Sequence, residues 1–204
     1  MGGRSRRMGR DKATILLDGR PLGIRSVDAL RWLGAPTGTA TGVLALGATE
    51  EQARALVAER VPDTEGHAGP LAAVLGIVDR AAAAGVDQVV TLACDLPDVD
   101  EEAVRDLVAV LDHARSAAAV LAEVGGRIAP PNAVWRADRV VEAVAGTPLA
   151  STRARRGSRF ADLLDLLSWT THRDVRFGDI DTPDQLACAV RPADVSRRRR
   201  PPVR

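Results

Sequence analysis

The first clear periodic stretch is residues 42–46, Gly-Val-Leu-Ala-Leu, a short apolar run closed by Gly47. Thr49-Glu-Glu-Gln52 follows as a capping box, and Ala53, Leu56 and Val57 are spaced along the helix it opens. Residues 69–84 carry a second helical pattern ending near Gly85, and 88–93 is a short, valine-rich run that predicts a buried strand. Asp100 is placed to cap a helix whose Val104, Leu107, Val108 and Leu111 form one apolar stripe. Residues 117–124 predict a strand, Gly125-Gly126 a turn, and 132–136 a further strand. Ser158 is the expected cap of a helix carrying Phe160, Leu163, Leu164 and Leu167. Residues 174–180 alternate as a strand does, and Thr182-Pro183-Asp184-Gln185 starts a last helix with proline at its first position. Strands alternating with helices predict an α/β fold, a mostly parallel sheet with helices on both faces.

Composition narrows the class. With 204 residues and 46% apolar side chains, the chain is long enough for one well-buried domain, expected over residues 1–190. The net charge of +1 gives no global pull toward nucleic acid or membrane. Two cysteines, Cys94 and Cys188, make neither a disulfide framework nor a paired metal motif. No apolar run approaches the roughly 20 residues of a membrane span. Arg6-Arg7 is not an export signal, because only Ile15-Leu16-Leu17 follows before Asp18-Gly19 turns the chain. Residues 191–204, with Arg197–Arg200 and Pro201-Pro202, are expected to be a solvated basic tail. No aromatic interleaves it to stack on bases, so neither nucleic acid nor membrane is an expected partner. The expected location is cytoplasmic.

One count inside these totals points to chemistry. Of 28 basic residues, 27 are arginine and one is lysine, Lys12. Where arginine is so strongly preferred, a remaining lysine is a candidate for work that needs a compact ammonium on a flexible stem. In open parallel sheets, ligands bind beyond the carboxyl ends of the strands. Three polar clusters fall at such ends: Cys94-Asp95-Leu96-Pro97, Gly178-Asp179-Ile180-Asp181, and Pro62-Asp63. The first two offer carboxylate oxygens of the kind magnesium takes. Capping the Thr182 helix is the competing role for Asp181, whereas no helix begins near Asp95 until about Asp100. At the N-terminus, the backbone amides of Gly2-Gly3, with guanidinium groups and Lys12 nearby, are what a triphosphate requires.

The stretch Gly2-Gly-Arg-Ser-Arg-Arg-Met-Gly-Arg-Asp-Lys12 resembles the signature of the molybdenum cofactor guanylyltransferases. The resemblance continues through Asp18-Gly19-Arg20-Pro21-Leu22, Gly69-Pro70-Leu71, Ala93-Cys94-Asp95-Leu96-Pro97, Gly126-Arg127 with Pro130, Ala133-Val134-Trp135, and Asp181-Thr182-Pro183-Asp184-Gln185-Leu186. It implies a three-layer, Rossmann-like nucleotidyltransferase fold. It further implies that Gly2 and Gly3 lie in the loop holding the nucleotide and that Lys12, with Arg7, offsets phosphate charge. Asp63 would help bind the nucleotide, Asp95 would be a magnesium ligand, and Asp179 or Asp181 would complete the metal site. The implied substrates are GTP and molybdopterin, with GMP transferred to the acceptor's phosphate and pyrophosphate released. The alternatives are a sister enzyme using CTP or another phosphate acceptor, and a non-catalytic nucleotide-binding relative. Members of the family begin with a buried apolar strand before the glycine pair. Here Met1 stands at the end of that strand, so the first strand is expected to be absent from the chain as written.

Overall fold

The computed structural model describes residues 12–34, 42–56, 58–61, 69–151, 155 and 157–189. In chain order, a short hairpin of β1 (Leu16–Leu17) and β2 (Arg20–Pro21) leads into α1 (Leu22–Leu30). Next come β3 (Leu44–Leu46), α2 (Glu50–Leu56), β4 (Glu59–Val61), α3 (Pro70–Ala83) and β5 (Gln88–Thr91). The rest is α4 (Glu101–His113), β6 (Ala119–Val124), β7 (Arg127–Arg136), α5 (Ala137–Val144), α6 (Phe160–Leu164), β8 (Trp169–Arg173) and α7 (Pro183–Ala189). Several starts follow the expected chemistry. Asp100 accepts from the Ala103 N–H at 2.8 Å, and Thr49 and Gln52 bond reciprocally at 2.6 and 3.2 Å, a complete capping box.

The main sheet has the order β5-β7-β6-β8. Its inner strands β6 and β7 are hydrophobic toward both faces over Ala119–Ala122 and Ala133–Trp135 because both faces are covered. Ala119 and Leu121 of β6, with Ala133 and Trp135 of β7, meet Leu71, Leu75 and Val78 of α3, Val140 of α5 and Leu163 of α6. The alternate residues Val120, Ala122 and Val134 turn to the other side, onto Val104, Leu107 and Leu111 of α4. Three layers result. The indole N–H of Trp135 donates to Thr91 Oγ1 at 2.9 Å, so the largest core side chain also satisfies its polar atom across β7 and β5.

Three expectations are corrected. The sheet is mixed rather than mostly parallel: β7 runs antiparallel to both β5 and β6, while β6 and β8 are parallel. The cause is the Gly125-Gly126 turn, where φ of 57° and 78° reverses the chain at once, whereas parallel neighbours need a long crossover. The 174–180 strand is instead a 3-10 turn at Val175–Phe177, because the Asp174 carboxylate accepts from the Arg176 N–H at 2.9 Å and curls the chain. The strand of that region lies earlier, at β8. The helix expected to be capped by Ser158 starts at Phe160, with Asp162 reaching back to accept from the Arg159 N–H at 2.6 Å.

A second, smaller sheet stands apart. β3 and β4 are parallel neighbours of three residues each. Among the described residues β3 pairs only with β4 and β5 only with β7. A cavity of about 1260 Å³ is lined by residues of β3 and β5 together with residues of α1, α3 and α4.

Candidate active site

Three segments distant in sequence converge at one end of the main sheet. Lys12 opens a single 3-10 turn (Lys12–Thr14) just before β1, and the buried Ala13 anchors that turn. Asp95 lies just past the carboxyl end of β5, where the next residue, Leu96, is fully buried. Asp179 and Asp181 flank the buried Ile180 ahead of α7, so the two carboxylates project while the apolar side chain between them is packed inward. The Ile180 N–H donates to the Asp95 carbonyl at 3.0 Å and ties the two acidic loops together.

The side chains complete the arrangement. Lys12 Nζ donates to Asp95 Oδ2 at 2.7 Å and to Asp181 Oδ1 at 2.6 Å. Asp95 and Lys12 are mostly buried at this contact, and Asp181 is half-exposed. Burial works against the Lys12 charge, but the hydrogen bonds to Asp181 and Asp95 outweigh it and hold its pKa above the ordinary lysine value. Burial, followed by the charges of Asp181 and Asp95, pushes the Asp179 carboxyl above the ordinary carboxylate range. One ammonium therefore leaves the group of three carboxylates short of positive charge. Their ligand oxygens lie within 4.8 Å of one another, a spacing and donor set suited to a hard divalent cation.

Asp181 is not a helix cap. Thr182 accepts from the Gln185 N–H at 3.2 Å, while Gln185 Oε1 accepts from the N–H groups of Asp181 and Thr182 at 2.7 and 2.9 Å. This capping box starts α7 and leaves the Asp181 carboxylate for Lys12. Lys12, Asp95, Asp179 and Asp181 thus lie close together. Gly2, Gly3, Arg7 and Asp63 lie outside the described residues. Missed from sequence was the role of Gln185 in orienting Asp181; the Thr-Pro-Asp-Gln spacing that signals the helix start also carries that information.

A model of the MobA-like NTP transferase domain matches residues 1–163. The chain belongs to that family. Among its relatives, a probable molybdenum cofactor guanylyltransferase of Opitutus terrae is 40% identical over 99 residues, 48% of this chain and 46% of that protein. The chain thus matches about half the length of that relative. A molybdenum cofactor guanylyltransferase of Rhodobacter capsulatus is 33% identical over 190 residues, 92% of this chain and 90% of that one. The crystal structure of molybdopterin-guanine dinucleotide biosynthesis protein A from Archaeoglobus fulgidus superposes with a TM-score of 0.63 at 22% identity, covering 92% of this chain and 93% of that one. The fold is therefore the α/β nucleotidyltransferase fold of this MobA-like family, built here on mixed sheets.

Proposed function

We propose that this chain is a molybdenum cofactor guanylyltransferase, transferring GMP from GTP to the terminal phosphate of molybdopterin or its molybdenum-bearing form. The observation that carries this reading is the placement of Lys12 against Asp95 and Asp181, beside Asp179, at a strand end of a MobA-like fold. In the reaction an acceptor phosphate oxygen bonds to the α-phosphorus of GTP as the bond to the bridging oxygen of pyrophosphate breaks. The acceptor is already an ionised phosphate, so no protein base has to remove a proton. What the protein must supply is position and charge neutralisation.

Asp95, with Asp179 and Asp181, would hold magnesium, which when bound neutralises phosphate charge in the site. The Lys12 ammonium, held beside these carboxylates, would offset the negative charge gathering on the departing pyrophosphate. The resemblance would give Gly2 and Gly3 to nucleotide binding, Arg7 to offsetting phosphate charge, and Asp63 to nucleotide binding. The catalytic domain of this reading spans residues 1–190, followed by the basic tail at 191–204. Nucleic acid and membrane are not partners in this reading. No described helix is long and apolar enough to cross a membrane, and the proposed location is the cytoplasm, where GTP is available.

The test is a binding panel of GTP, CTP and ATP with magnesium, followed by pyrophosphate release on adding molybdopterin. Selective GTP binding and pyrophosphate release that requires both substrates support the proposal. Preference for CTP would reassign the enzyme to a sister activity, and nucleotide binding without release would make it a non-catalytic relative.

A further inference from the structure

Asp95 stands two residues beyond Ala93, whose backbone N–H and carbonyl are both held by buried side chains. The Ala93 N–H donates to Asn132 Oδ1 at 2.7 Å, and the Ser26 hydroxyl donates to the Ala93 carbonyl at 2.7 Å. Asn132 is 2% exposed and Ser26 5%, two of the few buried polar residues among those described. They reach Ala93 from different elements, Asn132 from β7 and Ser26 from α1.

The reason side chains do this work lies in β7. The β5–β7 ladder runs from Gln88–Arg136 to Thr91–Ala133 and stops there. Continued in the same register, Ala93 would face Pro131, which has no N–H to offer its carbonyl. The β6–β7 register also slips between Leu121 and Glu123, leaving residues 129–132 of β7 outside both ladders. Asn132 at the end of that irregular stretch substitutes for the lost backbone acceptor, and Ser26 substitutes for the lost donor. Left without these partners, the Ala93 N–H and carbonyl would be free to turn toward whatever could solvate them. With them in place, the arm carrying Asp95 is fixed at Ala93 and again at its own carbonyl, through Ile180.

We infer that Asn132 and Ser26 are positioning residues for Asp95, setting its carboxylate where a divalent cation is bound together with Asp179 and Asp181. This rests on the proposed role of Asp95 as a metal ligand. Groups that orient a ligand without touching the metal characteristically change metal affinity about 10–100-fold when removed.

The experiment is a magnesium titration of the full chain, followed by calorimetry, beside its thermal unfolding. The variants are Ser26→Ala, Ser26→Thr, Asn132→Ser, Asp95→Asn and Thr91→Val. The last removes a buried hydrogen bond from the same strand, the acceptor of the Trp135 indole, without touching the Ala93 peptide. Ser26→Ala and Asn132→Ser should weaken magnesium binding about tenfold. Ser26→Thr, which keeps the hydroxyl, should restore it, and Thr91→Val should lower the Tm with wild-type metal affinity. If Ser26→Ala and Asn132→Ser lose stability as Thr91→Val does but bind magnesium like wild type, the two residues only support the fold and the inference is overturned. If Asp95→Asn itself binds magnesium like wild type, the assignment of Asp95 fails, and with it the inference built on it.

Discussion

Lys12 and Arg176 are both basic side chains standing inside a group of three possible metal ligands, yet the two groups are built for opposite ends. Around Lys12 are Asp95, Asp179 and Asp181; around Arg176 are Asp106, His172 and Asp174. The Arg176 guanidinium fills its surroundings. Its Nε donates to both Asp174 oxygens at 2.9 and 3.1 Å, its Nη1 to Asp100 at 2.9 Å, and its Nη2 to Asp106 at 3.2 Å. Asp100 is also the cap of α4, so this one planar fork staples the start of that helix to the turn after β8. Burial works against the Asp174 charge, but the hydrogen bonds from Arg176 outweigh it and hold its carboxyl below the ordinary value of 3.8. Lys12, by contrast, spans only two of three carboxylates with a single nitrogen, and the third, Asp179, is pushed upward. An acidic group satisfied by a multidentate guanidinium is a structural joint. One partly neutralised by a single ammonium is, in the proposed function, the group that takes a cation.

The largest test of that contrast is Asp95→Asn. It keeps shape and removes one ligand charge, and turnover should fall on the order of a thousandfold, with magnesium dependence lost. Stability without ligand should change by less than about 1 kcal/mol, because Lys12 keeps Asp181. Asp179→Asn should be milder, since an amide oxygen still ligates magnesium. Steady-state pyrophosphate release against magnesium concentration measures both. Wild-type turnover in Asp95→Asn would make this cluster as structural as the other.

Lys12→Ala comes next, with a loss of about a hundredfold in turnover, or roughly 3 kcal/mol in the transition state. Its diagnostic feature is a split. In the absence of nucleotide this variant should bind magnesium more tightly than wild type, on the order of tenfold, because the competing ammonium is gone. Lys12→Arg should also turn over poorly, since a planar fork in this place would reproduce the closed character of the Arg176 group. Unchanged magnesium affinity in Lys12→Ala would show that the ammonium and the cation do not share the carboxylates.

Arg176→Ala should act on stability alone. Breaking the largely buried pair with Asp174 should cost about 2 kcal/mol, whereas the exposed contacts to Asp100, Glu102 and Asp106 add little. The pH dependence follows from the lowered carboxyl of Asp174. Its contribution is present above the unfolded value of 3.8 and is lost as pH falls through the lower folded value. The Tm difference between wild type and variant should therefore be full at neutral pH and shrink below about pH 3.8. A constant difference across that range would mean that Asp174 is not what the arginine stabilises.

Why one group was legible in the sequence and the other was not follows from how each is assembled. Lys12 is marked as a solitary lysine and Asp95 as a carboxylate past a strand run, a position with a topological rule behind it. Asp179 and Asp181, by contrast, were read at the end of a 174–180 strand that is in fact a 3-10 turn, so that rule does not account for them. Arg176 is one of 27 arginines, and its partners Asp100, Asp106 and Asp174 meet only once α4 is laid beside the turn after β8. Capping chemistry was similarly local, so the starts of α2, α4 and α7 were readable, while α1 and α5, which follow strands directly without such a signal, were not. Strand direction was misjudged because alternation of strand and helix suggested parallel neighbours, although Gly125-Gly126 already encoded the reversal. The Asn132 and Ser26 contacts could not be read at all, because each depends on two elements meeting at Ala93.

The smallest expected effect, and the sharpest for the comparison, is Arg176→Lys. This substitution places an ammonium where the fork now stands and so gives the structural group the same kind of cation as the Lys12 group. A lysine can still face Asp174, which keeps the better-buried half of the interaction, but one nitrogen cannot reach Asp100 and Asp106 as well. The contacts surrendered belong to half-exposed carboxylates, so the loss should be about 1 kcal/mol, a fall in Tm of roughly 2–4 °C for a chain of this size. If an exchangeable ammonium were sufficient for cation binding, this variant would acquire a magnesium site. It should not, because one of its three ligands is the His172 imidazole, and magnesium demands oxygen ligands in near-octahedral order. Calorimetric titration of Arg176→Lys in an Asp95→Asn background isolates the question. A new magnesium site there would show that the kind of cation sets the difference between the groups, rather than the three carboxylates gathered at the end of β5.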